Sequence, residues 1–244
     1  MLSKIKEDVK ILLKDIAFTI SPQLFHKFSL FNFERNILPK QFVKHMNQLT
    51  KANVVIDVGA NIGLVSECLA RRGAKVISFE PNSSAFSNLQ IVAAKFENID
   101  AHNVAVGTKN QMVKLYLHKD STSTDNDLSQ ASSLLGNKPN VSTKFFEEIQ
   151  EIDFAEFLHS LKTPIELLKI DIEGFEIDLI NHLLDKNALD HVNKVYVETH
   201  ELKFTQLIAS TEKLKVRIKT EGYENKFFSL HNLIINCLAK QLKL

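Results

Sequence analysis

Cysteine is almost absent: Cys68 and Cys237 stand far apart in a chain of 244 residues. They form no metal-spaced pair and no disulfide framework, which fits a reducing compartment and an expected cytoplasmic location. Long apolar runs are missing too, because lysines and acidic residues interrupt each hydrophobic stretch. The expectation is therefore no membrane span and no secretory leader. Internal repeats and low-complexity segments are also lacking. Net charge is small, at +1, but unevenly spread: residues 1–50 carry +4, residues 51–200 carry −7 and residues 201–244 carry +4. An acidic middle argues against a nucleic-acid groove there, and the basic ends are too dilute to define a partner. What remains is an ordinary globular composition, 44% hydrophobic and 24% charged, long enough for one large domain with terminal additions.

Glycine is scarce as well, yet two of the 7 glycines fall in one short turn. Val54, Val55 and Ile56 are a β-branched run suited to a strand buried on both faces. The run ends in Asp57-Val58-Gly59-Ala60-Asn61-Ile62-Gly63. Leu64, Cys68 and Leu69 then follow helical spacing up to Gly73, a C-cap, and Val76 to Phe79 forms a second strand closed by Glu80-Pro81. Glycine lets the backbone approach a ligand, and the helix start offers N–H groups to negative charge. A carboxylate about 20 residues after the turn can accept both hydroxyls of a ribose. Dinucleotides and S-adenosylmethionine both present such a ribose. A pyrophosphate requires glycine at the second fingerprint position, where this chain has Asn61. A side chain there suits the smaller amino-acid end of S-adenosylmethionine. The bland alternative is a βαβ unit whose glycines only shape a turn, and an NAD-dependent oxidoreductase is the rival enzyme.

Asp57-Val58-Gly59-Ala60-Asn61-Ile62-Gly63, Phe79-Glu80-Pro81 and Lys169-Ile170-Asp171-Ile172-Glu173-Gly174, in that order, resemble the successive signatures of the FkbM family of S-adenosylmethionine-dependent methyltransferases. The similarity covers about residues 53–200. It implies an α/β fold with a Rossmann-like, seven-stranded sheet over residues 51–244, preceded by an N-terminal helical extension at residues 1–50. It also implies O-methylation, with a sugar or secondary-metabolite hydroxyl as acceptor, so that the partner is a small molecule or glycan. Asp57, Gly59, Ala60, Asn61 and Gly63 are then expected at the amino-acid end of S-adenosylmethionine, and Glu80 with Pro81 at its ribose. Asn103, Val104 and Ala105 would lie near the adenine, the alternative being that Asn103 is a surface strand residue. A catalytically silent scaffold that keeps the fold is the second rival class.

The flanking segments carry less information. Ile5, Val9, Leu12, Leu13, Ile16 and Ile20 follow helical spacing with mixed charge opposite, which favours packing on the domain or in a homodimer over a membrane surface. Pro22 and Pro39 bracket an aromatic stretch, Phe25 to Phe42, read as a second helical element. Ser83 to Phe96 reads as a helix capped by Ser83 or Ser84, and Asp100 to Val106 as a third strand. Val113 to His118 and Phe145 to Ile152 read as further strands, separated by an aperiodic segment, residues 119–142. Within that segment Ser132-Ser133-Leu134 resembles the family's serine-containing loop, which would sit beside the cofactor or acceptor; disorder is the alternative. Asp153 is expected to cap a short helix, Ile165 to Ile172 to form a buried strand, and Val195 to Val197 another. A helix from Thr211 to Glu221 and strands near Lys226–Ser229 and Leu233–Leu238 complete the reading.

Methyl transfer from a sulfonium is an in-line displacement, so the protein mainly aligns acceptor, carbon and sulfur. A hydroxyl acceptor must also lose its proton, to a base or with help from a metal. Asp171, Glu173, Glu198 and His200 stand at the exits of two strands expected to be neighbours, and Asp171, Glu198 and His200 are the candidate catalytic residues. Three arrangements stay open. Asp171, Glu198 and His200 could hold a divalent ion through an O/O/N set. His200 could be the general base while Asp171 orients the cofactor amine or the acceptor. Glu198 and His200 could instead cap the following helix. Lys169 is expected to pack or to pair with a carboxylate.

Overall fold

The computed structural model describes residues 30–118, 141–201 and 204–230. The helix expected over Ile5 to Ile20, the Ser132-Ser133-Leu134 loop and the strand at Leu233–Leu238 lie outside them. Among the described residues no helix is long and apolar enough to cross a membrane.

A parallel sheet organises the chain. Its strands are β1 (Val54–Val58), β2 (Lys75–Phe79), β3 (Ile99–His102), β7 (Ile165–Ile170), β8 (Val195–Val197) and β9 (Phe227–Ser229), in the spatial order β3-β2-β1-β7-β8-β9. All five neighbouring pairs run parallel. The chain builds outward from β1 to one side and then returns to lay β7 on its other flank. The reversal therefore falls between β1 and β7, and a ligand crevice belongs at the carboxyl ends of those two strands.

Alternation along each strand divides two apolar layers. Ile56, Val58, Ile77, Phe79, Leu168 and Ile170 point to one face, where they meet α4 (Phe154–Ser160), α5 (Glu176–Asp185) and α6 (Ile208–Thr220). Val55, Val76, Leu167 and Tyr196 point to the other, packing with Cys68 and Leu69 of α2 (Leu64–Ala70) and with Phe42 and Met46 of α1 (Lys40–Met46). Leu30 and Leu38 join the second layer, so residues 30–49 cover the sheet directly. Pro39 separates a helical segment at residues 30–36 from α1, as a residue that cannot continue a helix must. His45 of α1 is hydrogen-bonded through Nδ1 to the Tyr196 hydroxyl at 2.7 Å, which satisfies a polar group carried on a central strand.

The expected single sheet of seven strands is not what the described residues form. Six strands make the parallel sheet, and β4 (Ala105–Gly107), β5 (Gln111–His118) and β6 (Val141–Asp153) make a separate three-stranded sheet ordered β4-β6-β5. The strand expected over Asp100 to Val106 is thus two strands, broken at Asn103-Val104, where the chain leaves one sheet for the other. The side chain of Asn103 makes that break: its amide donates to the Glu80 and Pro81 carbonyls at 2.8 and 3.0 Å. Beyond it, Gly107 leaves room for Glu151: a Cβ there would stand 1.8 Å from Glu151 Oε1 and would displace that carboxylate. The Glu151 carboxylate instead accepts from the Thr108 N–H and the Gln111 amide, both at 2.8 Å.

Caps fall largely where the residue types direct. Asp153 Oδ1 accepts from the Ala155 and Glu156 N–H groups at the start of α4. The α3 helix (Ser83–Ala93) is capped one residue earlier than expected, by Asn82, whose Oδ1 accepts from the Ala85 N–H at 2.9 Å.

Candidate active site

The first strand exit is a tight left-handed turn. Gly59 has φ +73° and Asn61 φ +50°, and Gly63, at φ +89°, opens α2. Glycine at position 59 is compulsory on two counts. Its φ disfavours a side chain, and a Cβ would meet the Asp171 backbone oxygen at 1.8 Å. The exits of β1 and β7 are therefore in backbone contact. The Gly59 and Ala60 N–H groups donate to the Phe79 carbonyl at 3.0 and 2.9 Å, which closes the turn onto the end of β2.

Glu80 is locked beside that turn. Its Oε2 accepts from the Asn61 N–H and its Oε1 from the Asn82 N–H, each at 2.8 Å. Burial pushes the carboxyl up to about 7, against the pull of those two N–H groups and of Lys169.

Beneath the turn lies a buried ion pair. Lys169 Nζ stands 3.2 Å from Asp57 Oδ1 and donates to the Gly59 carbonyl at 2.6 Å and the Val58 carbonyl at 3.3 Å. Burial alone would lower the ammonium; Asp57 and then Asp171 outweigh it and hold Lys169 above its ordinary value. Asp57 also accepts from the Ser66 hydroxyl at 2.7 Å, tying β1 to α2. One lysine thus fixes the carbonyls of the glycine turn while it neutralises the aspartate under them.

The second strand exit gathers carboxylates. Asp171, Glu173 (φ +54°) and Gly174 (φ +105°) form a loop folded over the buried side chain of Glu176. Glu176 Oε1 accepts from the Ile172 and Gly174 N–H groups at 3.1 and 3.0 Å and bonds His200 Nδ1 at 2.8 Å. His200, arriving from the end of β8, is 3% exposed. Its Nε2 lies 3.7 Å from Asp171 and 3.6 Å from Glu173 with no hydrogen-bond partner. Burial opposes the imidazolium, but Glu173 and Glu176 override it and push His200 up to about 10. Burial likewise pushes Asp171 up to about 6, with Lys169 opposing and Glu198 adding to the rise. Although β8 stops at Val197, Asp171, Glu198 and His200 converge, each offering a donor atom within 4.8 Å of the others.

One crevice of about 360 Å³ joins the two exits. Gly59, Ala60, Asn61, Glu80, Pro81, Val104, Ala105, Asp171 and Glu198 line it. Asp57, Gly63, Asn103 and His200 stand behind that lining, where they support it. Phe33, Ile37, Leu38, Pro39, Phe42, Leu115 and Leu230 add an apolar wall. Sequence reading assigned no role to Glu176, although an acid in the first turn of a helix after a glycine loop is a signal of loop anchoring. The pairing of Lys169 with Asp57 is visible only once β1 and β7 are seen side by side.

Residues 57–227 match the family described as the Methyltransferase FkbM domain. A protein named Methyltransferase 1 from Beauveria bassiana (strain ARSEF 2860) is 27% identical over 166 residues, which is 61% of this chain and 65% of that relative. The chain thus spans just under two thirds of the relative's length. A solved structure of Methyltransferase FkbM from Methylobacillus flagellatus KT aligns with a TM-score of 0.40 at 15% identity, over 74% of this chain and 46% of that one.

Proposed function

The chain belongs to the FkbM methyltransferase family, and from that premise we propose that it transfers the methyl group of S-adenosylmethionine to a hydroxyl of a sugar or secondary-metabolite acceptor. The observation that carries this reading is Glu80: it lines the crevice beside the left-handed turn at Gly59-Ala60-Asn61, its carboxylate immobilised by two backbone N–H groups. Each Glu80 oxygen uses one lone-pair site on the backbone and keeps another for a vicinal diol. Asn61 Oδ1 is a buried acceptor with no partner, suited to an ammonium or amine donor. The residues present therefore fit an adenosyl amino acid, and the side chain at Asn61 disfavours the pyrophosphate of a dinucleotide.

When bound, S-adenosylmethionine supplies an electrophilic methyl that needs no further activation. The work left to the chain is placement, proton removal and exclusion of water. Placement falls to the glycine turn and Glu80, which are held rigid by Lys169 and Asn103. Water exclusion falls to the apolar wall from Phe33 to Phe42, since a dry site strengthens each polar contact within it. Proton removal falls to the acidic floor. Asp171 and Glu198 line the crevice, whereas His200 is buried behind them and engaged by Glu176. We assign the acceptor hydroxyl to Asp171 and Glu198, and assign His200 to holding them in place.

The test is radiolabelled methyl transfer from S-adenosylmethionine to a panel of sugars, glycans and hydroxylated small molecules, with products identified by mass. O-methylated product is the expected result. Cofactor binding without transfer to any acceptor class would favour the silent scaffold.

A further inference from the structure

The acidic floor of the crevice has the make-up of a cation site. Asp171, Glu173, Glu176 and Glu198 surround one histidine and one lysine, an excess of negative charge in a partly closed space. His200 is the telling member. Its Nδ1 is committed to Glu176, and Glu176 is itself pinned by the Ile172 and Gly174 N–H groups. A carboxylate on Nδ1 fixes the ring so that Nε2 faces away from that carboxylate, and an ion bound there would take the place of the ring's second proton. Here Nε2 is buried, has no hydrogen-bond partner, and lies on the side of Asp171 and Glu173. An ion there would give that nitrogen a close partner and neutralise the carboxylates around it.

We propose that Asp171, Glu198 and His200 bind a divalent cation, Mg²⁺ or Mn²⁺, at the floor of the crevice, with Glu176 orienting the histidine. Two carboxylates and one imidazole make an oxygen-rich set with one nitrogen, suited to these ions rather than to thiophilic ones. Around an octahedral ion with bonds of about 2.1 Å, donor atoms stand about 3 to 4.2 Å apart. The three donor atoms stand within 4.8 Å of one another, and binding an ion would draw them toward that range. Three protein ligands leave positions open toward the crevice, which Asp171 and Glu198 line. There an acceptor hydroxyl would coordinate, lose its proton more easily and be held against the methyl donor. The role given to the ion rests on the proposed methyl transfer; its binding does not.

The experiment is titration of chelator-stripped full-length chain with manganese(II) chloride, reading free Mn²⁺ by electron paramagnetic resonance, beside calorimetry with S-adenosylhomocysteine. The expected result is one tight Mn²⁺ per chain, displaced by Mg²⁺. Affinity should fall by about tenfold or more in Glu198→Gln and, because the orienting contact is lost, in Glu176→Gln. S-adenosylhomocysteine affinity should be retained in Glu198→Gln. Mn²⁺ that stays free up to about 1 mM, in parent chain that binds S-adenosylhomocysteine, overturns the site. Equal Mn²⁺ affinity in parent and Glu198→Gln overturns the ligand assignment. Tight Mn²⁺ binding lost in Glu198→Gln, in a chain that ignores S-adenosylhomocysteine, upholds the site and removes the cofactor reading instead.

Discussion

Replacing Gly59 with alanine tests the junction on which the crevice is built. At φ +73° an L-residue carries strain of roughly 1–2 kcal/mol. The added methyl would also stand 1.8 Å from the Asp171 carbonyl oxygen, where ordinary contact is nearly twice that. Because the obstacle is backbone of the neighbouring strand, relief requires β1 and β7 to part at their exits. Overpacking of that kind costs roughly 1–3 kcal/mol. The sum predicts a loss of roughly 2–5 kcal/mol for Gly59→Ala. Gly222→Ala is the control: its φ is +81° and nothing lies within 4 Å of the added carbon, so it should cost the strain alone. Urea unfolding of both variants, with midpoint and slope fitted together, separates the steric part from the conformational part. Calorimetry with S-adenosylhomocysteine should show Gly59→Ala severely weakened and Gly222→Ala unchanged. Equal destabilisation by the two substitutions, with affinity intact in both, would refute the claim that the strand exits touch through Gly59.

Other consequences follow from the buried charges. Lys169→Met should cost roughly 3–5 kcal/mol in urea, because Asp57 would be left buried without its cation; a loss under about 1 kcal/mol would contradict the pairing. Glu80, raised to about 7 in the fold from an ordinary 4.5, holds its proton longer folded than unfolded. Its contribution to stability is therefore complete below pH 4.5 and is lost as pH rises through about 7. Urea midpoints should fall across that window in the parent and fall less in Glu80→Gln. Cofactor binding runs the other way, since the diol needs the ionised carboxylate: S-adenosylhomocysteine affinity should rise from pH 6 to 8 in the parent and stay level in Glu80→Gln, roughly following one titrating group.

How much of this was legible in the chain depends on the range of each interaction. The β1–turn–α2–β2 unit could be read directly, because a β-branched run, two glycines and Glu80 lie within about 30 residues and each obeys a local rule. The helix cap at Asp153 was legible for the same reason. Asn103 shows where local reading stops. Its neighbours continue an apolar pattern, and only the bonds from its amide to Glu80 and Pro81, on another strand, break the run into β3 and β4. That break takes β4 out of the parallel sheet and into the smaller one with β5 and β6. Asn82 took the cap expected of Ser83 or Ser84 because its own backbone is still extended where α3 begins at Ser83, and its Oδ1 reaches the Ala85 N–H. At the site, the glycine turn, Glu80, Asp171 and Glu198 were readable as strand-exit residues. Glu176 was not, since its function exists only where the loop from Asp171 to Gly174 folds over it and His200 arrives from 24 residues away.

The central claim is that Gly59-Ala60-Asn61 and Glu80 together hold an adenosyl amino acid. Calorimetric titration of the full chain with S-adenosylhomocysteine, parent beside Glu80→Ala, addresses it most directly. The prediction is one equivalent bound by the parent and a loss of roughly 1.5–3 kcal/mol, about 10- to 150-fold in Kd, for the variant. No heat of binding in the folded parent, or the same Kd in both proteins, would contradict it.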